Sequence, residues 1–399
     1  MTEHYLDNSA TTPLCQTAIE KMTHVMTNVY GNPSSLHTLG VYAEQIMAEA
    51  RADILRALCP AKTGIRPKTD QLIFTASGTE ANNLALIGAA TAKARNKGKQ
   101  IIIGETEHPS ITETAAHLAT LGYRIVKIPS PNGVWDMNAY EAALSQDTIL
   151  VSAMLVNNET GAVNDLKTIA TKAKAANPDV IVHCDAVQGF LKIAESPIPY
   201  ADMVTVSAHK IGGPKGVGAL YVSEKILKTK ALIPVIFGGG QEKGLRSGTE
   251  NVIGIAGFGA AAKDTSAKLP SLLSSFKTLH TRLENGIAEI GDANLRINTP
   301  KSATIANHIV SLTASGIRSE TLLHSLSAEG VYVSSGSACS SNTGHASYVL
   351  HSFGLSDADA DSTIRISFGS QTTEEDIDAF LCALKNSLAR LARTTKKRS

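Results

Sequence analysis

Ile149-Leu150-Val151-Ser152-Ala153-Met154-Leu155-Val156 is the longest strongly apolar stretch in the sequence. A membrane-spanning helix needs roughly 20 such residues, so the run predicts a buried strand instead. Shorter apolar, β-branched runs stand on either side of it, at 72–74, 101–103, 123–128, 180–183, 203–206 and Gly218–Val222. Most are separated by helical patterning. Strands alternating with helices in this way predict an α/β domain around a mostly parallel sheet.

Beyond Arg246-Ser247-Gly248-Thr249-Glu250-Asn251 the rhythm changes. A long helical pattern over 252–289 is followed by strand-like runs at 305–312, 331–333 and 362–368, with helices expected at 319–329 and 373–391. The expected division is a large α/β domain at 15–260 and a smaller α+β domain made of 1–14 plus 261–399. The last residues, 394–399, read as a solvated tail.

Lys and Arg number 37 against 36 Asp and Glu, so no overall field favours nucleic acid or an anionic membrane. The N-terminus has neither the basic start nor the apolar run of a signal peptide, and a cytoplasmic location is expected. The five cysteines are an odd number without a CxxC pair, which argues for free thiols and against a disulfide framework or a metal site.

Four segments carry chemistry. Phe74-Thr75-Ala76-Ser77-Gly78-Thr79-Glu80 runs from a strand through small residues into a helix, leaving N–H groups that can cradle phosphate; the same pattern also suits an ordinary helix cap. His183-Cys184-Asp185-Ala186-Val187-Gln188 puts a carboxylate just after a strand, where it could hold a pyridinium nitrogen protonated or merely cap a helix. Ser207-Ala208-His209-Lys210-Ile211-Gly212-Gly213-Pro214-Lys215-Gly216 offers an amine able to form a Schiff base with an aldehyde, with Ser207 and His209 in reach of a phosphate. Lys215 is the rival amine, set in a loop by its proline and glycine neighbours. Finally, 333–345 is a run of small polar residues around one thiol, Cys339, without the apolar periodicity that buries a cysteine.

With these segments in order, the chain resembles the cysteine desulfurases of the NifS/IscS type, fold type I pyridoxal phosphate (PLP) enzymes of aminotransferase class V. Tyr5-Leu6-Asp7-Asn8-Ser9-Ala10-Thr11-Thr12-Pro13, Tyr30-Gly31-Asn32-Pro33-Ser34-Ser35 and Ser362-Thr363-Ile364-Arg365-Ile366-Ser367 extend the likeness over nearly the whole chain. The resemblance implies a mostly parallel seven-stranded sheet in the large domain and a small domain carrying Cys339 and Arg365. It implies Lys210 as the Schiff-base lysine, Asp185 on the pyridine nitrogen, and Gln188 with Asn158 near the phenolic oxygen. Gly78, Thr79, Ser207 and His209 would then hold the phosphate, and His108 would stack over the ring and handle the substrate's thiol proton. Asn32 and Arg365 match contacts to the substrate carboxylate, and Thr249 matches a residue reaching the phosphate of a neighbouring subunit, which implies a homodimer.

The implied reaction converts L-cysteine to L-alanine and leaves the sulfur on Cys339 as a persulfide. An acceptor would then take it: an iron–sulfur scaffold, a tRNA-thiolating enzyme or a thiamine-pathway carrier. Two departures bear on that acceptor: Ala346 stands where the family usually carries proline, and the chain after Cys339 is shorter than in relatives serving the scaffold. The rival expectations are a selenocysteine lyase, or another class V PLP enzyme, and a catalytically silent scaffold that keeps the fold. A lyase releasing its product directly needs no acceptor thiol, and a silent scaffold has no need to retain Lys210, Asp185, Arg365 and Cys339 together.

Overall fold

A computed structural model describes residues 2–92, 98–298, 304–335 and 347–396. Among them, seven strands form the central sheet in the spatial order Leu72–Thr75, Gly218–Val222, Met203–Ser207, Ile181–Asp185, Thr148–Met154, Gln100–Gly104 and Arg124–Ile128. Gly218–Val222 pairs antiparallel with both neighbours, and every other pair is parallel. Each apolar run of the sequence has become one of these strands. The longest ends at Met154: Leu155 still donates its N–H to the Asp185 carbonyl of the adjacent strand, and Val156 bridges to Val163 instead.

Both faces of the sheet are covered, which is why its strands are apolar throughout rather than alternating. Ile101 and Ile103 point into one layer with Leu84 and Ala85 of the helix Gly78–Thr91 and Ile111 of the helix Pro109–Thr120. Ile102 points the other way, with Ile54 and Leu58 of the helix Thr38–Leu58 and Ile169 of the helix Leu166–Ala176.

The 39-residue helix Val252–Ile290 links this body to a third core. Its first turns give Ile255, Phe258 and Ala262 to the large sheet, and its later turns give Phe276, Leu279 and Leu283 to the third cluster. Asn251 caps its start, and Gly291 ends it in the left-handed conformation at φ 66°. The third core packs this helix and Glu374–Lys396 on an antiparallel sheet ordered Ser334–Ser335, Thr363–Ser367, Ile309–Ala314, Leu295–Ile297. One strand expectation needs correction, and one strand was not expected. The run expected from 305 enters the sheet only at Ile309, Ile305 making a single bridge to Ala162, and the short strand Leu295–Ile297 has too few residues to show a period. No described helix is long and apolar enough to cross a membrane.

Candidate active site

Met154, Asp185 and Ser207 end adjacent strands of the large sheet, and the crevice beyond such carboxyl ends is where open parallel sheets bind ligands. A cavity of about 590 Å³ opens there, lined by Gly78, Thr79, His108, Asn158, Asp185, Gln188, Ser207, His209, Lys210 and Arg365. Ten sequence-predicted residues from separate segments thus share one wall.

Lys210 stands in the one-turn helix Ala208–Lys210 directly after the strand Met203–Ser207. Its Nζ donates to the carbonyls of Ser9 at 2.5 Å and Ala10 at 2.8 Å, so the N-terminal segment crosses the cavity floor. Thr12 holds that segment in place, its N–H and hydroxyl both donating to the His209 carbonyl at 2.8 and 2.9 Å. Lys215 is exposed and lies outside the cavity wall. Burial, followed by the charges of Lys210, Lys192 and Lys215, pulls His209 down to about 3, so its ring is neutral near pH 7.

The Asp185 carboxylate is buried and accepts from Asn82 Nδ2 at 2.8 Å and from the N–H of Val187 at 3.0 Å. It closes a turn at Val187 and lines the cavity, and the residues after it form turns and not a helix for it to cap. Gln188 donates from Nε2 to the Ser9 carbonyl at 2.9 Å and accepts from Lys192 Nζ at 3.3 Å. That lysine is wholly buried, and desolvation, with Lys210 and Arg365 nearby, lowers it to about 7.

Arg365 sits mid-strand with 3% of its side chain exposed. One guanidinium nitrogen meets Asp7 Oδ1 at 2.9 Å and another donates to the Asn158 carbonyl at 3.0 Å, while its Nε has no partner. A planar cation fixed on one side and open on the other suits a small carboxylate.

The opposite end fits a phosphate. Ser77 caps the helix Gly78–Thr91 by accepting from the N–H of Glu80, and the first-turn N–H groups of Gly78 and Thr79 face the cavity without an intrahelical acceptor. Ser207 Oγ is buried with no partner. A Cβ on Gly78 would lie 3.0 Å from Val187 Cγ2 and 3.5 Å from Ser207 Cβ, so a larger residue would fill this cradle. An orphaned hydroxyl, free amides, a carboxylate and an amine around one cavity match the phosphate, ring nitrogen and aldehyde of PLP.

Two sequence-predicted residues stand elsewhere. Thr249 lines a smaller pocket with Arg246 and Glu250, and Asn32 is exposed, its side chain accepting from the N–H of Ser34 at 2.9 Å. Cys339 lies outside the described residues. The two flanks of its segment nonetheless reach the site: Ser334 pairs in register with Arg365, and Ser347 donates to Glu159 Oε2 at 2.6 Å. The next residue, Tyr348, donates its hydroxyl to the Glu107 carbonyl.

The structure adds cavity residues that sequence reasoning missed: Asn82, Ser110, Glu159 and Tyr348. Only Asn82 carried a sequence signal, lying one helical turn beyond Gly78 on the same face. Glu159 is wholly buried, and desolvation raises it to about 7 against the opposing hydrogen bond from Ser347 and the charge of Arg365.

Residues 4–380 match the family described as aminotransferase class-V. The cysteine desulfurase IscS of Klebsiella pneumoniae subsp. pneumoniae is 39% identical over 394 residues, covering 97% of this chain and 93% of that one. A NifS/IcsS protein homolog of Lactobacillus delbrueckii subsp. bulgaricus is 37% identical, covering 95% of each chain. Among solved structures, a NifS-like protein superimposes with a TM-score of 0.87 at 32% identity, covering 97% of this chain and 100% of that one. Sequence, fold and site geometry agree: the chain belongs to the aminotransferase class-V family.

Proposed function

We propose that this protein is a cysteine desulfurase, using PLP held on Lys210 to release sulfur from L-cysteine to Cys339 and leave L-alanine. The observation that carries the reading is the convergence of Lys210, Asp185, Ser207 and Arg365 on one cavity. PLP, when bound, supplies an electron sink that stabilises negative charge at the substrate's Cα. Asp185 would keep the ring nitrogen protonated, and Gly78, Thr79, Ser207 and His209 would hold the phosphate. Gln188 and Asn158 would face the phenolic oxygen. Arg365 and Asn32 would hold the substrate carboxylate, and Lys210 would take the Cα proton and return one later.

Cys339 completes the transfer. The substrate's Cβ–S bond breaks as an S–S bond forms to Cys339; with the protons redistributed, cysteine plus a thiol gives alanine plus a persulfide, and no outside oxidant is needed. The pairing of Ser334 with Arg365 and the Ser347–Glu159 bond support this role, because they tether both flanks of the Cys339 segment at the cavity. A selenocysteine lyase is the second reading.

The same reading includes a homodimer in which Thr249 reaches the partner subunit's phosphate. It is supported by large apolar side chains left in solvent, with Tyr30 at 80%, Leu36 at 97% and Phe237 at 78% exposure. It also includes the domain division 15–260 against 1–14 plus 261–399, a cytoplasmic setting, and an iron–sulfur scaffold or tRNA-thiolating enzyme as acceptor. The test is absorbance: protein purified with PLP should be yellow and lose that colour on borohydride reduction, with the reduced cofactor mapping to Lys210. A protein that stays colourless after reconstitution overturns the assignment.

A further inference from the structure

His108 is tied to Asp185 through two side chains that the proposed reaction leaves idle. It caps the helix Pro109–Thr120, with the N–H of Ser110 donating to its Nδ1 at 3.1 Å and Ser110 Oγ lying 2.8 Å from the same nitrogen. Asn82 Nδ2 then reaches Ser110 Oγ at 2.8 Å and Asp185 Oδ2 at 2.8 Å.

Donor inventory fixes every hydrogen in this chain. A backbone N–H can only donate, so Nδ1 of His108 carries a lone pair. A carboxylate can only accept, so the Asn82 atom facing Asp185 is Nδ2, and its second hydrogen points at Ser110 Oγ. Because Nδ1 has no hydrogen to give, the Ser110 hydroxyl is the donor in its 2.8 Å contact with that nitrogen. The His108 ring is left with its single hydrogen on Nε2, the nitrogen without a partner among the described residues. Protonating Nδ1 would set hydrogen against the Ser110 N–H and strand a buried donor. Burial acts in the same direction, lowering His108 below its ordinary value against the pull of Asp185.

We propose that Asn82 and Ser110 are positioning residues that lock His108 neutral in one tautomer, with its hydrogen on Nε2 and directed at the substrate's sulfur. The proposal rests on the reading of His108 as the ring that faces the substrate. In this role the Nε2 hydrogen is directed at the substrate's sulfur, and the lone pair of Nδ1 stays engaged by Ser110.

Nitrogen-15 NMR of protein labelled at histidine, with and without added PLP, tests the hydrogen's position directly, His108→Gln identifying the resonance. The expected spectrum has Nε2 protonated and Nδ1 bare across neutral and mildly alkaline pH. Hydrogen on Nδ1, or a doubly protonated ring at neutral pH, overturns the proposal. Ser110→Ala should mix the tautomers and lower kcat about tenfold, with KM within twofold, and Ser110→Thr should restore the single tautomer. In the His108→Gln background, Ser110→Ala should cost nothing further; a full additional loss there shows that Ser110 acts elsewhere. Persulfide formation on Cys339 is scored separately. Its absence in the wild type defeats the desulfurase reading, whereas normal persulfide with hydrogen on Nδ1 defeats only this inference.

Discussion

Replacing Glu159 by glutamine should make the protein more stable at high pH and leave it nearly unchanged at low pH. The carboxyl is buried and raised from 4.5 to about 7, with desolvation as the chief cause. At about 1.36 kcal/mol per pH unit, a rise of that size is worth roughly 3 kcal/mol. The folded protein holds this proton more tightly than the unfolded chain does, so stability is fully present below about 4.5 and is lost as pH rises through about 7. Glutamine never ionises and can still accept from Ser347, whose bond to Glu159 is 2.6 Å. The variant's advantage over wild type should therefore grow to about 3 kcal/mol by pH 8, read from urea unfolding at pH 5 and pH 8. An equal difference at the two pH values would refute the argument, because it would show that no proton is bound there on folding.

Arg365→Lys removes one of two guanidinium anchors, to Asp7 or to Asn158, and an ammonium cannot restore the planar fork. At about 1.5–3 kcal/mol for a charged hydrogen bond, KM for cysteine should rise roughly 10- to 100-fold in an alanine-formation assay. Asp185→Ala should leave PLP bound through its phosphate but slow exchange of the substrate's Cα hydrogen with deuterated water, measured by NMR, by at least about a hundredfold. Lys210→Ala should reduce turnover by about 10²–10⁴ or more while equilibrium dialysis still detects bound PLP, since the phosphate cradle at Gly78 and Ser207 is untouched.

The large sheet was legible in the sequence because buried parallel strands are apolar on both faces, and runs such as 101–103 and 203–206 announce themselves. Strands of the small sheet were harder to read. Leu295–Ile297 spans a single alternation, and Ser334–Ser335 has no apolar residue, so its pairing with Thr363–Ser367 comes wholly from tertiary contact. The site divides in the same way. Asp185 and Ser207 end adjacent strands and Lys210 follows one, so topology alone brings them together.

Glu159, Asn82 and Ser110 matter through distances that no local pattern encodes. Glu159 becomes unusual only when Ser347, far along the chain, closes over it, and Asn82 only when Asp185 and Ser110 flank its amide. Asn32 reads locally as a turn residue, and in the single chain it behaves as one. Its place at a substrate, like that of Thr249 at a partner's phosphate, rests on family likeness and not on a contact within this chain.

In the proposed reaction sulfur from cysteine comes to rest on Cys339, and peptide mass spectrometry of the PLP-loaded protein after brief incubation with L-cysteine decides whether it does. One added sulfur is expected on the peptide containing Cys339, none on those containing Cys15, Cys59, Cys184 or Cys382, and no alanine from Cys339→Ser although that variant keeps the PLP absorbance. Added sulfur on a different cysteine, or alanine from Cys339→Ser at the wild-type rate, would contradict that reaction.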